Sequence, residues 1–185
     1  MRVAPTRALS PSGVAMVRDA READLDQIAA IWNHEVLWTD ATTDTEPRDA
    51  RGQREWLARH RGVYPALVAV EGDEVLAYGS LSPYRPKPAF ARTVEDSVYV
   101  KRGRRGAGLG ALILGALIER AREAGCHSML ARITSRNTAS ILLHERHGFT
   151  IAGVEYQVAF KLGRWHDVTV MQLAVGPLPP RPLRA

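Results

Sequence analysis

The chain has 185 residues, enough for one domain with a real core and too few for two ordinary ones. Its 45% hydrophobic and 24% charged residues are the balance of a globular protein, and it contains no apolar run long enough for a membrane-spanning helix. The net charge of +5 is spread along the chain, mostly as arginine and without interleaved aromatics, which argues against a nucleic-acid partner; the single cysteine, Cys126, excludes an internal disulfide and points to a reducing, cytoplasmic setting.

Residues 1–15 are polar and rich in proline and small side chains, and read as a disordered leader. Met16-Val17-Arg18 reads as the first strand. From Asp24 to Trp38, Leu25, Ile28, Ile31, Trp32 and Val36 recur at helical spacing, with Asp19 or Glu22 available for the helix start. Trp32 and Trp38 are expected in the core. Pro47 is expected to open a second helix running to about Arg61. Leu67 to Val70 and Val75 to Leu81 read as strands around the turn Glu71-Gly72-Asp73-Glu74. A loop with prolines and arginines covers 82–92, and Thr93 to Val100 is a strand. Leu109 to Glu123 is a strongly apolar helix closed by Gly125, and Cys126 after it reads as a small buried residue. Met129 to Thr134 is a strand, and Asn137 to His147 is a helix closed by Gly148. Strand regions follow near Phe149 to Phe160 and Val168 to Leu173, then a loose proline-rich tail over 175–185. The order β-α-α-β-β-β-α-β-α-β-β, without internal repeat, predicts one α/β domain over residues 16–174.

Two stretches carry chemistry. In the first, the β-prone run Val98-Tyr99-Val100 leads through Arg104-Arg105-Gly106-Ala107-Gly108-Leu109-Gly110 into the long apolar helix. That layout sets backbone N–H groups at a helix N-terminus beside guanidinium groups, where a phosphate can sit. A Walker loop is excluded, because Leu109 stands where Lys-Ser or Lys-Thr is needed. A dinucleotide loop fits Gly106-x-Gly108-x-x-Ala111, but the next strand candidate ends on Arg132 with no carboxylate for a ribose. The third pattern, Arg/Gln-x-x-Gly-x-Gly, is met by Arg105 to Gly110. In the second stretch, Asn137, Ser140 and His144 fall within about 60° of one another on a helix. His144 and His147 are three apart, not the four of a zincin helix, so no metal site is expected.

The two stretches, in this order and one strand apart, resemble the pyrophosphate loop and second acetyl-CoA motif of the GNAT superfamily of N-acetyltransferases. Trp32-Asn33-His34-Glu35-Val36, Asp44-Thr45-Glu46-Pro47, Thr93 to Val100, Leu143 to Phe149 and Gly163-Arg164-Trp165-His166-Asp167 narrow the resemblance. They are similar to the phosphinothricin and methionine sulfone/sulfoximine acetyltransferase branch over about residues 16–174. The resemblance implies a bent, mixed, mostly antiparallel sheet with helices on both faces, splayed between strand 93–100 and strand 128–134. It also implies acetyl-CoA in the splay, no metal, a small amine or amino acid acceptor, and a homodimer.

Carried residue by residue, the resemblance implies the following roles. Glu95 is the base that takes a proton from the acceptor amine; the alternative for it is a charge pair with Arg92 or Arg85. Asp96 points to the other face of the strand, so the two carboxylates are not a catalytic pair. A backbone N–H near Tyr99 or Val100 stabilises the thioester oxygen, and Val98 lies on the same strand. Arg104, Arg105, Gly106, Ala107, Gly108, Leu109 and Gly110 hold the pyrophosphate, with Lys101 or Arg136 reaching a more distant phosphate. Asn137 and Ser140 face the cofactor. His144 either protonates the leaving sulfur or only hydrogen-bonds the cofactor. Asn33, Arg85, Arg92 and Trp165 surround the acceptor, the arginines taking its carboxylate or another anion. Phe90 replaces a usual tyrosine. Rival readings are a peptide or protein N-acetyltransferase, a non-catalytic acetyl-CoA-binding protein and a dinucleotide-binding protein.

Overall fold

The computed structural model describes residues 15–176. The expected leader up to residue 14 and the expected tail from residue 177 lie outside the described residues. The elements are β1 (Met16–Asp19), α1 (Leu25–Trp38), α2 (Ala50–Arg59), β2 (Ala66–Glu71), β3 (Glu74–Pro83), β4 (Thr93–Val100), α3 (Leu109–Glu123), β5 (Ser128–Thr134), α4 (Thr138–Arg146), β6 (Thr150–Lys161) and β7 (Arg164–Ala174). Short 3-10 turns sit at Glu22–Asp24 and Pro88–Phe90.

The strands form one seven-stranded sheet in the order β1-β2-β3-β4-β5-β7-β6. Every pairing is antiparallel except β4 with β5. That parallel contact joins only Thr93–Ser128, Val94–Met129 and Glu95–Leu130. Past Glu95 the two strands part, so residues 96–100 of β4 present an edge that β5 does not cover. This is the expected splay, at the expected strands.

Both faces of β2 and β3 are buried, which is why they read as nearly unbroken apolar runs. Leu67, Ala69, Leu76 and Leu81 pack with Ile113, Leu114 and Leu117 of α3. Ala66, Val68, Val70 and Tyr78 pack with Ile28, Trp32 and Trp56 of α1 and α2. The contact between α3 and β3 is closest at Gly79, where a Cβ would lie 2.6 Å from Ile113 Cγ2 and 2.7 Å from the Ser97 carbonyl oxygen. Val175, beyond β7, is buried, and its N–H donates to the His127 carbonyl at 3.0 Å.

Four expectations need correction. Helix α2 starts at Ala50 and not at Pro47, because the Asp49 carboxylate accepts from the Gly52 N–H at 2.7 Å and caps the helix there. Ahead of α1, neither Asp19 nor Glu22 caps; Asp24 closes the 3-10 turn Glu22–Asp24 that leads into the helix, its carboxylate accepting from the Arg21 N–H at 2.8 Å and from both Arg18 Nη atoms. Strand β7 begins at Arg164, four residues early, because Leu162 and Gly163 both have positive φ and make a tight hairpin turn. Trp38 is 71% exposed at the end of α1, whereas Trp32 is buried as expected.

Candidate active site

The N-terminus of α3 and the free edge of β4 share one end of the splay. Gly106 and Gly108 have φ of +80° and +79°, which turns the chain so that Gly108 caps α3. A Cβ on either would meet nothing within 4 Å, so the space before the helix is open to a ligand. The free backbone N–H groups of the first turn of α3 point toward that space. Gly110, the second residue of α3, packs against Leu143 of α4 and Val100 of β4. An open glycine cradle, a helix N-terminus and an uncovered strand edge fit acetyl-CoA, whose phosphates need donors and whose pantetheine arm needs a strand to lie against.

The arginines of the loop are already engaged. Arg104 Nη2 lies 2.9 Å from Glu74 Oε2, and Arg105 Nη2 lies 2.5 Å from Glu35 Oε1. Glu35 is buried in α1, so Arg105 ties the glycine loop to the helix on the other side of the sheet. Lys101 likewise pairs with Glu74 at 2.8 Å, and Arg136 is exposed.

On the α1–α2 face of the sheet lies a cavity of about 460 Å³. Its floor consists of cross-strand pairs of β3 and β4, Tyr78–Tyr99, Ser80–Ser97 and Ser82–Glu95, which alternate onto one face. Thr42, Asp44 and Arg48 come from the α1–α2 connection, Arg59 and His60 from the end of α2, and Arg132 from β5. Glu95 is half-buried, and burial raises its carboxyl above the ordinary range while the Arg132 cation pulls it back. Arg132 itself forms a two-pronged pair with Glu155. His60 Nδ1 donates to the Trp56 carbonyl at 2.6 Å, leaving Nε2 to accept from the Ser82 hydroxyl at 3.3 Å. Burial lowers its pKa, Arg48 and Arg59 lower it further against the Trp56 hydrogen bond, and the ring is neutral.

Asp96 points away from this cavity's floor pairs to the α4 side, as strand alternation requires. There His144 is buried with both ring nitrogens bonded, Nε2 to Asp96 Oδ2 at 3.0 Å and Nδ1 to the Ser140 carbonyl at 2.7 Å. Both partners are acceptors, so both ring nitrogens donate. Burial alone would lower the His144 pKa, but the hydrogen bond and charge of Asp96 outweigh it, and the pKa is raised. His144 therefore links α4 to β4 through both ring nitrogens, and Asp96 favours its protonated form.

Of the residues expected around the acceptor, the structure brings Glu95 to the cavity and leaves four others outside its lining. Asn33 uses its amide on the peptide groups of Arg48, donating to the carbonyl at 3.0 Å and accepting from the N–H at 2.9 Å. Arg85 is exposed and stacks at 5.0 Å over Tyr84 and 5.7 Å over Phe90. Arg92 is exposed in the loop before β4. Trp165 is 59% exposed on the β6–β7 hairpin against Phe160. Asn137 caps α4 by accepting from the Ser140 N–H at 3.2 Å. Sequence reading missed Arg48, Arg59, His60 and Arg132, which reach the cavity from separate elements. One signal was present: Ser80, Ser82, Glu95 and Ser97 put polar groups at period two on strands otherwise built for burial, which marks a cavity wall.

Residues 26–149 match the acetyltransferase (GNAT) family. The chain is 50% identical over 165 residues to an L-methionine sulfoximine/L-methionine sulfone acetyltransferase of Pseudomonas paraeruginosa, covering 88% of this chain and 96% of that protein. It is 40% identical over 156 residues to a phosphinothricin N-acetyltransferase of Streptomyces coelicolor, covering 82% and 91%. Among solved structures, a GNAT superfamily phosphinothricin acetyltransferase from Sinorhizobium meliloti in complex with acetyl-CoA superposes with a TM-score of 0.84 at 32% identity, covering 91% and 94%.

Proposed function

This chain belongs to the acetyltransferase (GNAT) family, and from that membership we propose that it moves an acetyl group from acetyl-CoA to the amino group of a small amino acid-like acceptor. The observation that carries this reading is the half-buried carboxylate of Glu95 in a cavity of about 460 Å³ beside the splay, a volume in the range of small-molecule sites. Methionine sulfoximine, methionine sulfone and phosphinothricin, the compounds named for the relatives, set the acceptor class.

When bound, acetyl-CoA supplies the activated acetyl thioester. The backbone N–H groups opening α3 and the turn Gly106–Gly108 hold its phosphates. The Val98 and Val100 N–H groups, which point away from β3 toward the uncovered edge, offer donors to the oxygen that becomes negative during transfer, while the Tyr99 N–H is used in the pairing with Tyr78. An α-amino group is mostly protonated at neutral pH, so Glu95 accepts its proton, and a raised carboxyl pKa suits that task. His144, with both nitrogens engaged, fixes α4 against β4 and keeps the splay in shape. Asn137 and Ser140 sit at the N-terminal end of the same helix, where they face the cofactor.

We place the catalytic domain at residues 16–174, in accord with a sheet running from Met16 to Ala174. A homodimer is in keeping with the exposed apolar side chains of the β6–β7 hairpin: Tyr156, Val158, Phe160, Leu162 and Trp165 are each 50% exposed or more. Among the described residues no helix is long and apolar enough to cross a membrane. A cytoplasmic location is supported by the single, buried, unpaired Cys126.

A thiol-release assay with acetyl-CoA tests the function across phosphinothricin, methionine sulfoximine, methionine sulfone, common amino acids, polyamines and a peptide. Release is expected with the small amino acids. Release with the peptide alone would replace this reading by a peptide N-acetyltransferase, and no release with any amine would remove catalysis.

A further inference from the structure

The cavity floor ends at Ser82–Glu95 on one side and at Tyr78–Tyr99 on the other, four residues or roughly 13 Å along the strands. Trp32 packs edge-on against Tyr99 at 5.1 Å, and Trp56 packs edge-on against Tyr78 at 5.8 Å. Over these two indoles lies the guanidinium of Arg48, 4.1 Å from the Trp32 centroid and 5.3 Å from that of Trp56. Arg48 is half-buried and lines the cavity at the end opposite Glu95.

No carboxylate forms an ion pair with that cation; the Asp44 charge acts on it only from a distance. Its one side-chain hydrogen bond, from Nη1 to Gln53 Oε1, is long at 3.4 Å. Among the described residues no carboxylate comes within 4.0 Å of it. The other cavity cation on the sheet, Arg132, is matched by Glu155. Around Arg48, Trp32 Nε1, Gln53 Nε2 and the Tyr78 hydroxyl are buried with no hydrogen-bond partner. Folded proteins pair nearly all such groups, and three of the four unmatched among the described residues gather around this guanidinium, the fourth being Asp96 Oδ1 beside His144. They are covered by protein and do not themselves reach a ligand. Arg59, whose side chain lines the same cavity, adds charge of the same sign.

The position of Arg48 is fixed from behind. Asn33 clamps both its peptide N–H and its carbonyl, and Asp49 next to it caps α2. A guanidinium held by its backbone, stacked on aromatic faces and lacking a carboxylate has the form of an anion-binding site.

We infer that Arg48 forms an oxyanion subsite of the acceptor cavity, taking the acceptor's α-carboxylate or a side-chain oxyanion while its amine lies at Glu95. Asn33 is a positioning residue that acts through Arg48. The assignment rests on the small amino acid acceptor proposed above, and it adds a residue of the α1–α2 connection to acceptor recognition.

The test compares wild type with Arg48→Gln and Arg48→Lys, using phosphinothricin and its α-carboxamide as acceptors. Arg48→Gln is expected to raise the acceptor KM about 10-fold or more, with the acetyl-CoA KM unchanged. Arg48→Lys should fall between, because it keeps charge but loses the planar fork and the stacking. A loss confined to the acid assigns the subsite to the α-carboxylate; a loss shared by the carboxamide assigns it to the phosphinate. Asn33→Ala should raise the acceptor KM in wild type and add nothing in Arg48→Gln, a non-additivity that general loosening does not produce. Unchanged KM for both acceptors in folded Arg48→Gln overturns the subsite while leaving the function standing. If wild type turns over no acceptor, the function fails, and phosphinothricin binding read by Trp32 and Trp56 fluorescence decides the subsite. Weaker binding by Arg48→Gln upholds it; equal binding, or none by wild type, sinks it.

Discussion

Glu95 and Asp96 are neighbours in sequence and opposites in chemistry. Glu95 faces the cavity, and desolvation raises its pKa. Glu95→Gln keeps the shape and removes the proton acceptor, so kcat should fall by about 10²-fold or more at neutral pH, with acetyl-CoA affinity nearly unchanged. The loss should shrink as pH rises, since the amine then deprotonates without help; a pH profile from 6 to 9 in which a folded variant matches wild type removes Glu95 from the mechanism. Asp96 instead hydrogen-bonds His144 and favours its protonated form. Because the folded pKa of His144 is raised, its contribution to stability is fully present below the unfolded value near 6.5 and is lost as pH rises through the folded value. The stability advantage of wild type over Asp96→Asn should therefore narrow between pH 6 and pH 9 in urea titrations. A constant gap would mean that His144 does not carry the charge.

Between elements, α3 packs tightly onto β3 at Gly79. Gly79 leaves room for Ile113 and Leu117 of α3, and the added Cβ of Gly79→Ala would also approach the Ser97 carbonyl oxygen of β4 at 2.7 Å. Backbone cannot yield there as a flexible side chain does, so Gly79→Ala should destabilise by about 1–3 kcal/mol, measured by chemical denaturation. Since Gly79 pairs with Val98 on the acetyl-CoA edge of β4, the acetyl-CoA KM should rise as well. At the other face, Asp24 accepts from Arg18 and from the Arg21 N–H at the start of α1. Asp24→Ala leaves these donors unmatched and should cost about 1–3 kcal/mol; an unchanged midpoint would show that water serves them as well.

For the molecule as a whole, a ligand that binds only the folded state stabilises it by mass action. Acetyl-CoA at 100 times its Kd should add about 2.7 kcal/mol, read as a rise in Tm, and NADP should add nothing. Gly108→Leu should fold, since its Cβ meets nothing within 4 Å, although a side chain at φ +79° is strained. Its side chain would then stand before the N-terminus of α3, and the acetyl-CoA shift should disappear. A retained shift would place the phosphates elsewhere. Replacing Tyr156 and Phe160 with lysine on the exposed hairpin should convert a dimer to a monomer in sedimentation; an unaltered assembly moves the interface off β6.

The order of elements, the bounds of β4 and α3, and the glycine loop were legible in the sequence, because period, turn glycines and the residues opening a helix are local properties. So was the place of Glu95 on β4, which the structure turns toward the cavity. What local pattern could not supply was the company each side chain keeps. Arg85 and Arg92 are near Glu95 in sequence, yet they lie on an exposed loop, while Arg48 comes from a segment 47 residues earlier to line the same cavity. Trp38 continues the apolar spacing of α1 but lies where the helix has run past the sheet that buries Trp32. The pairing of His144 with Asp96 joins residues 48 apart because β4 and α4 are brought together by the intervening α3 and β5. Sequence by itself determined which elements form and where the glycine loop and the strand before it lie; only the packing of helices onto a splayed sheet decided which charges meet the cavity and which meet each other.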